Sequence, residues 1–87
     1  MAEKKIADAK AAETVVRRQM EAQYSNKLKN IYFRKSWYSV AGTQEFWDVE
    51  GTVIRKKGLM GQEMRNFRYQ VDPNTGNIMG YEEVTPK

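Results

Sequence analysis

The chain of 87 residues contains no cysteine and no histidine. Without cysteine it can form no disulfide framework, no thiolate zinc site and no cysteine nucleophile. Without histidine it lacks the commonest metal ligand and the commonest general base. No apolar stretch reaches the roughly 18 residues of a membrane span, and the N-terminus lacks the apolar region of a signal peptide. We therefore expect a soluble cytoplasmic protein without metal or cofactor, and leave open a signal peptide that has been removed.

Acidic residues are the remaining candidates for catalysis. Asp48 and Glu50 share one face of a predicted strand, and two carboxylates can in principle act as an acid–base pair. Acidic side chains on the wet face of a strand are far more often solvated surface. The sequence also has no glycine-rich phosphate loop and no nucleophile motif. We therefore expect a protein that is not an enzyme.

The net charge of +4 is moderate and is unevenly distributed. Residues 1–30 carry seven Lys or Arg and four Asp or Glu, whereas residues 31–87 carry eight and seven. A basic excess of this size is typical of a solubility feature, and an interaction with nucleic acid is the alternative.

A single helix is predicted over residues 2–28, because helix-favouring residues predominate there and no glycine or proline interrupts them. Apolar residues at spacings of three and four form one stripe, which is strongest from Val16 to Leu28. Such a helix would be about 40 Å long, whereas a strand of about seven residues spans only ~23 Å. Its first two turns would extend past the sheet, either as a frayed charged terminus or as an arm for a partner or a second copy.

The rest of the single domain, residues 31–85, is predicted to form an antiparallel sheet. The strongest signal is a hairpin at residues 65–81, whose turn contains Asp72, Pro73 and Gly76. Its first strand alternates polar residues with the apolar residues Phe67, Tyr69 and Val71. With no second helix for a parallel crossover, the strands must be antiparallel. The predicted fold is α+β, with one long N-terminal helix packed on a four-stranded antiparallel meander in the order α-β-β-β-β.

Two earlier strands complete the sheet. The first is a short strand, best at residues 37–41, after an approach in which Ile31, Phe33, Lys35 and Trp37 share one face and Tyr38 lies on the other. The second strand covers residues 46–57, with Trp47, Val49, Gly51 and Val53 on its core face. A glycine in mid-strand usually marks a bulge or the close approach of another backbone. We expect the helix to make that approach at Gly51.

The sheet face opposite the helix and the loop at residues 56–61 are the candidate interaction surfaces, because each carries apolar residues. The candidate residues are Tyr38, Phe46, Ile54, Leu59, Met60 and Arg68. Two interpretations of Leu59 and Met60 stay open, namely an exposed contact or a pair that folds back onto the core. The sequence thus predicts a small non-catalytic module that binds a protein partner or forms a homodimer.

Nucleic acid is the alternative partner, because an exposed sheet with cations and aromatic rings can neutralise phosphates and stack bases. The candidate contacts are Arg34, Lys35, Lys56, Lys57, Arg65 and Arg68. Against this interpretation, Asp48 and Glu50 would lie on the same face and repel phosphate. No RNA-binding or helix-turn-helix signature is present.

Two segments, Trp47-Asp-Val-Glu-Gly-Thr-Val53 and Phe67-Arg-Tyr-Gln-Val-Asp-Pro-Asn-Thr-Gly-Asn-Ile-Met-Gly-Tyr81, resemble PepSY-type domains and the gas-vesicle accessory protein GvpO. The resemblance covers residues 46–84, about half of the chain. It implies a cystatin-like helix-on-sheet fold and a binding or inhibitory role without catalysis. The chain lacks the arginine-rich ending of the gas-vesicle pattern.

Overall fold

The computed structural model describes residues 5–84. They form one helix, α1 (Ala9–Tyr24), a single 3-10 turn (Ser25–Lys27) and a four-stranded sheet. The strands are β1 (Leu28–Ala41), β2 (Gln44–Lys57), β3 (Gly61–Val71) and β4 (Ile78–Val84). Each strand pairs antiparallel with the next one along the chain. The predicted α+β fold, with one helix on a four-stranded antiparallel meander, is confirmed.

The core lies between α1 and one face of the sheet. Ala12, Val16 and Met20 are fully buried on the helix, at spacings of four residues that place them on one side. The sheet contributes Ile31, Val49, Val53, Phe67, Tyr69 and Val71. The predicted core faces of β2 and of the hairpin are therefore correct, because alternation fixes the buried side of a fully paired strand.

The helix begins at Ala9 rather than at residue 2. The Asp8 carboxylate accepts a hydrogen bond from the Ala11 backbone N–H at 2.8 Å, and this caps the helix. The predicted helical turn over residues 2–4 lies outside the described residues. Residues 5–8 are not helical, so the prediction of one continuous helix from residue 2 is wrong.

Ile6 ties this N-terminal segment to the far end of the sheet. Its backbone N–H donates to the Pro73 carbonyl at 2.9 Å, and its carbonyl accepts the Trp47 indole N–H at 3.1 Å. Its side chain is buried in the core. The segment at residues 5–8 therefore packs on the domain and is not a projecting arm.

The helix ends at Tyr24, four residues before the predicted end. Ser25 has a φ of 49°, and its N–H donates to the Glu21 carbonyl as a cap. Leu28 already belongs to β1, which has 14 residues and pairs with β2 along its length. The prediction of a short strand near residues 37–41 is wrong, because pairing with β2 extends the strand back to Leu28.

A β-bulge in β1 reverses the alternation that the sequence suggests. The register shifts between Phe33 and Lys35, so Arg34 is an extra residue. After the bulge Trp37 pairs with Asp48, on the sheet face opposite the helix. Tyr38 pairs with Trp47, on the helix side. The predicted faces of Trp37 and Tyr38 are therefore both wrong.

Gly51 is crowded by strands and not by the helix. A Cβ at this position would overlap the Tyr32 carbonyl oxygen and would lie 2.8 Å from Phe67 Cζ and 3.1 Å from Phe33 Cα. These nearest atoms belong to β1 and β3. The expected close approach of a backbone is present, but β1 makes it, next to the bulge that follows Phe33.

A polar network closes the helix side of the sheet below Tyr24. The Glu83 carboxylate accepts hydrogen bonds from the phenols of Tyr24 at 2.5 Å and Tyr81 at 3.0 Å. Arg55 forms ion pairs with Glu83 at 3.1 Å and with Glu63 at 2.5 Å. Arg55 and Glu83 are both nearly buried. The loss of water around the two charges is offset only because Glu83 also accepts the two phenol hydrogen bonds and Arg55 also pairs with Glu63.

Three tyrosines near this network make stability sensitive to alkaline pH. Burial raises the pKa of Tyr69 to about 12. Burial, and then the hydrogen bond to Glu83, raises the pKa of Tyr24 and Tyr81. Because the unfolded phenols ionise near pH 10, the folded state keeps protons that the unfolded state loses. The free energy of unfolding should therefore hold below pH 10 and fall as the pH rises from 10 through 12, in urea titrations.

Tyr69→Phe provides the control for this prediction. The Tyr69 hydroxyl is buried and has no hydrogen-bond partner among the described residues, so its loss should leave stability at pH 8 unchanged or slightly higher. The variant should also lose less stability between pH 10 and 12 than the wild type. An identical pH dependence in both proteins would contradict the assignment, since deprotonation of lysines is common to both.

Candidate interaction surfaces

The sheet face opposite α1 is called here the outer face. No other element of residues 5–84 packs against it, because α1 and the N-terminal segment both lie on the opposite side. Residues directly paired across the strands form rows on this face, and the register of the three hairpins defines each row. The rows determine which side chains a binding partner meets together.

One row carries charges of alternating sign. Lys35 on β1 pairs with Glu50 on β2, Glu50 pairs with Arg68 on β3, and Arg68 pairs with Glu82 on β4. Opposite charges therefore lie directly beside one another at each step across the sheet, which favours this register.

The next row contains a buried acid and an aromatic ring. It consists of Trp37, Asp48, Gln70 and Gly80. Asp48 is only 1% exposed, and its carboxylate accepts hydrogen bonds from Ser39 Oγ at 2.8 Å and Arg68 Nε at 3.0 Å. The hydrogen bond to Asp48 raises the pKa of Arg68. Arg68 thus has an internal partner at Nε, and its side chain is still 41% exposed.

Trp37 lies beneath two cations. Lys35 Nζ is 4.7 Å and Arg68 Cζ is 5.6 Å from the centre of its ring, within the range of a cation–π interaction. The indole therefore forms part of a flat, charged and aromatic centre on the outer face.

The rows nearer the β2–β3 turn are more apolar. One row consists of Tyr32, Thr52, Asn66 and Val84, and the next of Asn30, Ile54 and Met64. Tyr32 is 55% exposed, Met64 52% and Val84 60%. A hydrogen bond of 3.0 Å joins the Thr52 hydroxyl to the Asn66 side chain between these apolar residues. Several exposed apolar side chains therefore lie next to one another in this half of the face, which is typical of a surface that contacts another molecule.

The β2–β3 turn, residues 58–60, is called here the tip. Leu59 is 103% exposed and Met60 is 98% exposed. The interpretation in which these two residues fold back onto the core is therefore wrong.

The predicted interaction residues fall into three places. Phe46, Ile54 and Arg68 lie on the outer face, and Leu59 and Met60 lie on the tip. Tyr38 does not join them, because the bulge in β1 directs it to the helix side. There its ring meets Trp47 edge-on, with ring centres 5.1 Å apart.

The predicted nucleic-acid contacts do not form one surface. Arg34 and Lys35 lie on the outer face with the paired Arg68, and Lys56 and Lys57 flank the tip. Arg65 lies on the helix side, because it pairs with Val53, and it forms an ion pair of 3.2 Å with Glu63. A single nucleic-acid strand could not follow all six cations.

Sequence reasoning missed several outer-face residues, namely Tyr32, Trp37, Met64, Glu82 and Val84. The turn signals of the three hairpins could have provided the register that aligns them. The sheet face on which Trp37 lies could not be predicted, because no glycine or proline marks the bulge at Arg34.

The outer face has little of the concavity that a small ligand requires. Two shallow depressions beside Arg68 and Glu82 have volumes of about 170 and 120 Å³, and both are lined mainly by polar and charged residues. Among the described residues, no group of three or more acidic side chains is placed to hold a metal ion. No helix within residues 5–84 is long and apolar enough to cross a membrane. A broad flat surface of this kind suits a macromolecular contact.

Comparisons of the chain with protein-family models, with curated proteins and with solved structures give no significant match. The resemblance to PepSY-type domains and to GvpO therefore stays a prediction.

Proposed function

We propose that this chain is a small non-catalytic interaction module that pairs with a second copy of itself through the outer face. The observation that carries the proposal is the order of side chains along each row. When two outer faces meet about a two-fold axis parallel to the strands, each row faces its own reversed copy. β1 then lies opposite β4 of the second copy, and β2 lies opposite β3.

The charged row is complementary to its own reverse. Lys35 faces Glu82 of the second copy, and Glu50 faces Arg68 of the second copy. Because the row alternates in sign across four strands, every charge meets its opposite. Such an arrangement fixes the orientation of two partners and disfavours shifted ones.

The other rows match in the same orientation. Tyr32 faces Val84, and Ile54 faces Met64, so the exposed apolar side chains cover one another. Trp37, the largest residue of its row, faces Gly80, the smallest. An apolar patch beside a complementary charged row is typical of a specific protein interface.

The dimensions of the face suit a stable dimer. At ~4.8 Å between strands and ~3.4 Å per residue, β1 to β3 paired over 11 residues and β4 of seven residues give a face about 37 Å long and roughly 650 Å² in projection. A standard interface buries about 800 Å² per partner. A two-fold axis parallel to the strands also aligns the two sheets, as in a sandwich of aligned sheets.

Nucleic acid is less well supported on this face. A phosphate chain along the charged row would meet Glu50 and Glu82 as often as Lys35 and Arg68. Binding of nucleic acid is therefore an alternative outcome of the test below.

The test is charge reversal at two positions that cannot contact each other within one chain. Lys35 and Glu82 lie on opposite edge strands, roughly 14 Å apart. We expect Lys35→Glu alone and Glu82→Lys alone to weaken the dimer at least about tenfold in sedimentation equilibrium, because each creates two like-charge contacts per dimer. The double variant should return to within a few-fold of the wild type.

The design separates dimerisation from folding. The double variant keeps the repulsions that each reversal creates within its own chain, beside Glu50 and beside Arg68, so recovery can come only from contacts between copies. Lys10→Glu, an exposed reversal on α1, should leave the mass unchanged. A monomer at all concentrations, or a double variant as weak as the sum of the single ones, would overturn the proposal. A shift in mass only with an added oligonucleotide at low salt would support nucleic acid instead.

A further inference from the structure

The tip presents two apolar side chains to solvent beside a group of lysines, and packing in the core explains neither feature. Leu59 and Met60 are adjacent and completely exposed, whereas single exposed apolar residues are common on protein surfaces. Gly58, with a φ of 66°, allows the tight turn that presents the two side chains together. The tip is also the end of the β2–β3 hairpin, which pairs over 11 residues in a domain that measures 51 × 25 × 16 Å.

Basic residues predominate at the base of the tip, on the 3-10 turn, β1 and β2. Lys27 of the 3-10 turn and Lys56 of β2 line one surface depression together with Gly58. Residues 24–30 and 51–62 contain five Lys or Arg and no Asp or Glu. The five are Lys27, Lys29, Arg55, Lys56 and Lys57. The nearest acid along β3, Glu63, is already paired with Arg55.

We propose that the tip binds the surface of an anionic lipid bilayer. Leu59 and Met60 would enter the boundary between headgroups and acyl chains, where an apolar side chain leaves water. The four lysines at the base would then lie at the level of the lipid phosphates, whose negative potential attracts them.

The shape of the tip favours lipid over a protein partner. A protein would need a preformed apolar groove to receive a convex turn, whereas a bilayer deforms around it. The inserted residues are aliphatic and flexible, and they carry no hydrogen-bonding groups that would specify a protein site. The four lysines lie behind the apolar pair on the 3-10 turn, β1 and β2, where they can meet a charged surface while the pair enters its apolar interior.

This inference does not rest on the proposed dimer, since one chain carries a complete tip. A two-fold axis parallel to the strands would place both tips at the same end. Dimerisation would then strengthen binding to a flat surface by multivalency.

The test is co-sedimentation of the full chain with vesicles. We expect binding to phosphatidylcholine vesicles that contain about one-third phosphatidylserine and little binding to phosphatidylcholine alone. Lys56→Gln/Lys57→Gln should weaken binding about 30-fold, from the usual gain of roughly fivefold per lysine near such a surface. Leu59→Ser/Met60→Ser should weaken it at least about tenfold.

Matched variants make the outcome unambiguous. Val40→Ser removes an apolar side chain that is 64% exposed at the opposite end of the sheet, and it should bind as the wild type does. Tip variants should keep the dimer mass, whereas Lys35→Glu should shift the mass towards the monomer and leave each monomer able to bind vesicles. No binding to anionic vesicles, or equal binding by Leu59→Ser/Met60→Ser, would overturn the proposal.

A second readout reports insertion directly. Leu59→Trp should show a blue-shifted emission, relative to the wild-type spectrum, when anionic vesicles are added. An unchanged difference spectrum, or a blue shift that a soluble polyanion such as heparin reproduces, would contradict insertion.

Discussion

Replacement of Arg55 by methionine is expected to lower the free energy of unfolding by about 3–4 kcal/mol. The Arg55 side chain is 13% exposed and that of Glu83 is 11% exposed. Without the guanidinium, the Glu83 carboxylate would keep only the phenol donors of Tyr24 and Tyr81 in a desolvated site. A domain of this length has a stability of only ~4–13 kcal/mol, so the loss should be obvious in chemical denaturation.

A double-mutant cycle separates the ion pair from packing. Arg55 also lies over the Tyr24 ring, with Cζ 4.6 Å from its centre, and methionine retains much of that contact. Arg55→Met/Glu83→Met should be more stable than the sum of the single effects predicts, by at least about 1 kcal/mol, because no unpaired charge remains. Arg18→Met, an exposed cation on α1, should change stability by less than about 0.5 kcal/mol. Additive effects at Arg55 and Glu83 would contradict the proposed role of the pair.

Replacement of Gly51 by alanine is expected to cost more than about 3 kcal/mol, above the usual range for overpacking. The added methyl group would overlap the carbonyl oxygen of Tyr32, which is a backbone atom and cannot rotate away. Either the β1–β2 pairing or the bulge after Phe33 would have to shift. The change should appear as a large fall in the denaturation midpoint, measured in dilute solution.

Two further variants identify the source of this cost. In Gly80→Ala the new methyl group would lie 2.7 Å from Gln70 Oε1, at the end of a flexible side chain that can move. That change should cost no more than about 1 kcal/mol. Phe67→Leu should not rescue Gly51→Ala, because it removes the ring contact and leaves the Tyr32 carbonyl in place. Full rescue by Phe67→Leu would show that the ring, and not the backbone, limits the space.

The sequence predicts the core best where pairing is regular. Along β2 and β3, alternation alone identifies Val49, Val53, Phe67 and Tyr69 as inward, since each strand is flanked on both sides and carries no shift within that stretch. The same rule fails in β1, because the extra residue Arg34 reverses the faces. Local composition gives no signal for this bulge, which depends on the fit between β1 and the crowded backbone at Gly51.

The start of the helix was likewise predictable only in part. Ile6 continues the apolar spacing of α1, so periodicity alone extends the helix through it. In the folded chain the Trp47 indole and the Pro73 carbonyl bind the backbone of Ile6, and these partners lie far away in sequence. Asp8 is a good capping residue, and it was the one local signal for the true start.

The candidate surface could be predicted only in part. Sequence alternation correctly places Phe46 and Ile54 on the outer face, but the rows depend on the register between strands. Lys35 and Glu82 are 47 positions apart, and nothing in the linear sequence relates them. Their relation emerges only when four strands are aligned and the row is compared with its own reverse.

Hydroxyl-radical footprinting over a range of protein concentrations tests the proposed outer-face dimer most directly. Tyr32 and Met64 on the outer face are 55% and 52% exposed, and Tyr81 on the helix side is 50% exposed, so their starting reactivities are comparable by exposure. We predict that oxidation of Tyr32 and Met64 slows as the dimer forms, while oxidation of Tyr81 and Met60 does not change. Unchanged oxidation of Tyr32 and Met64 in the dimer, or protection of Tyr81 instead, would contradict the account.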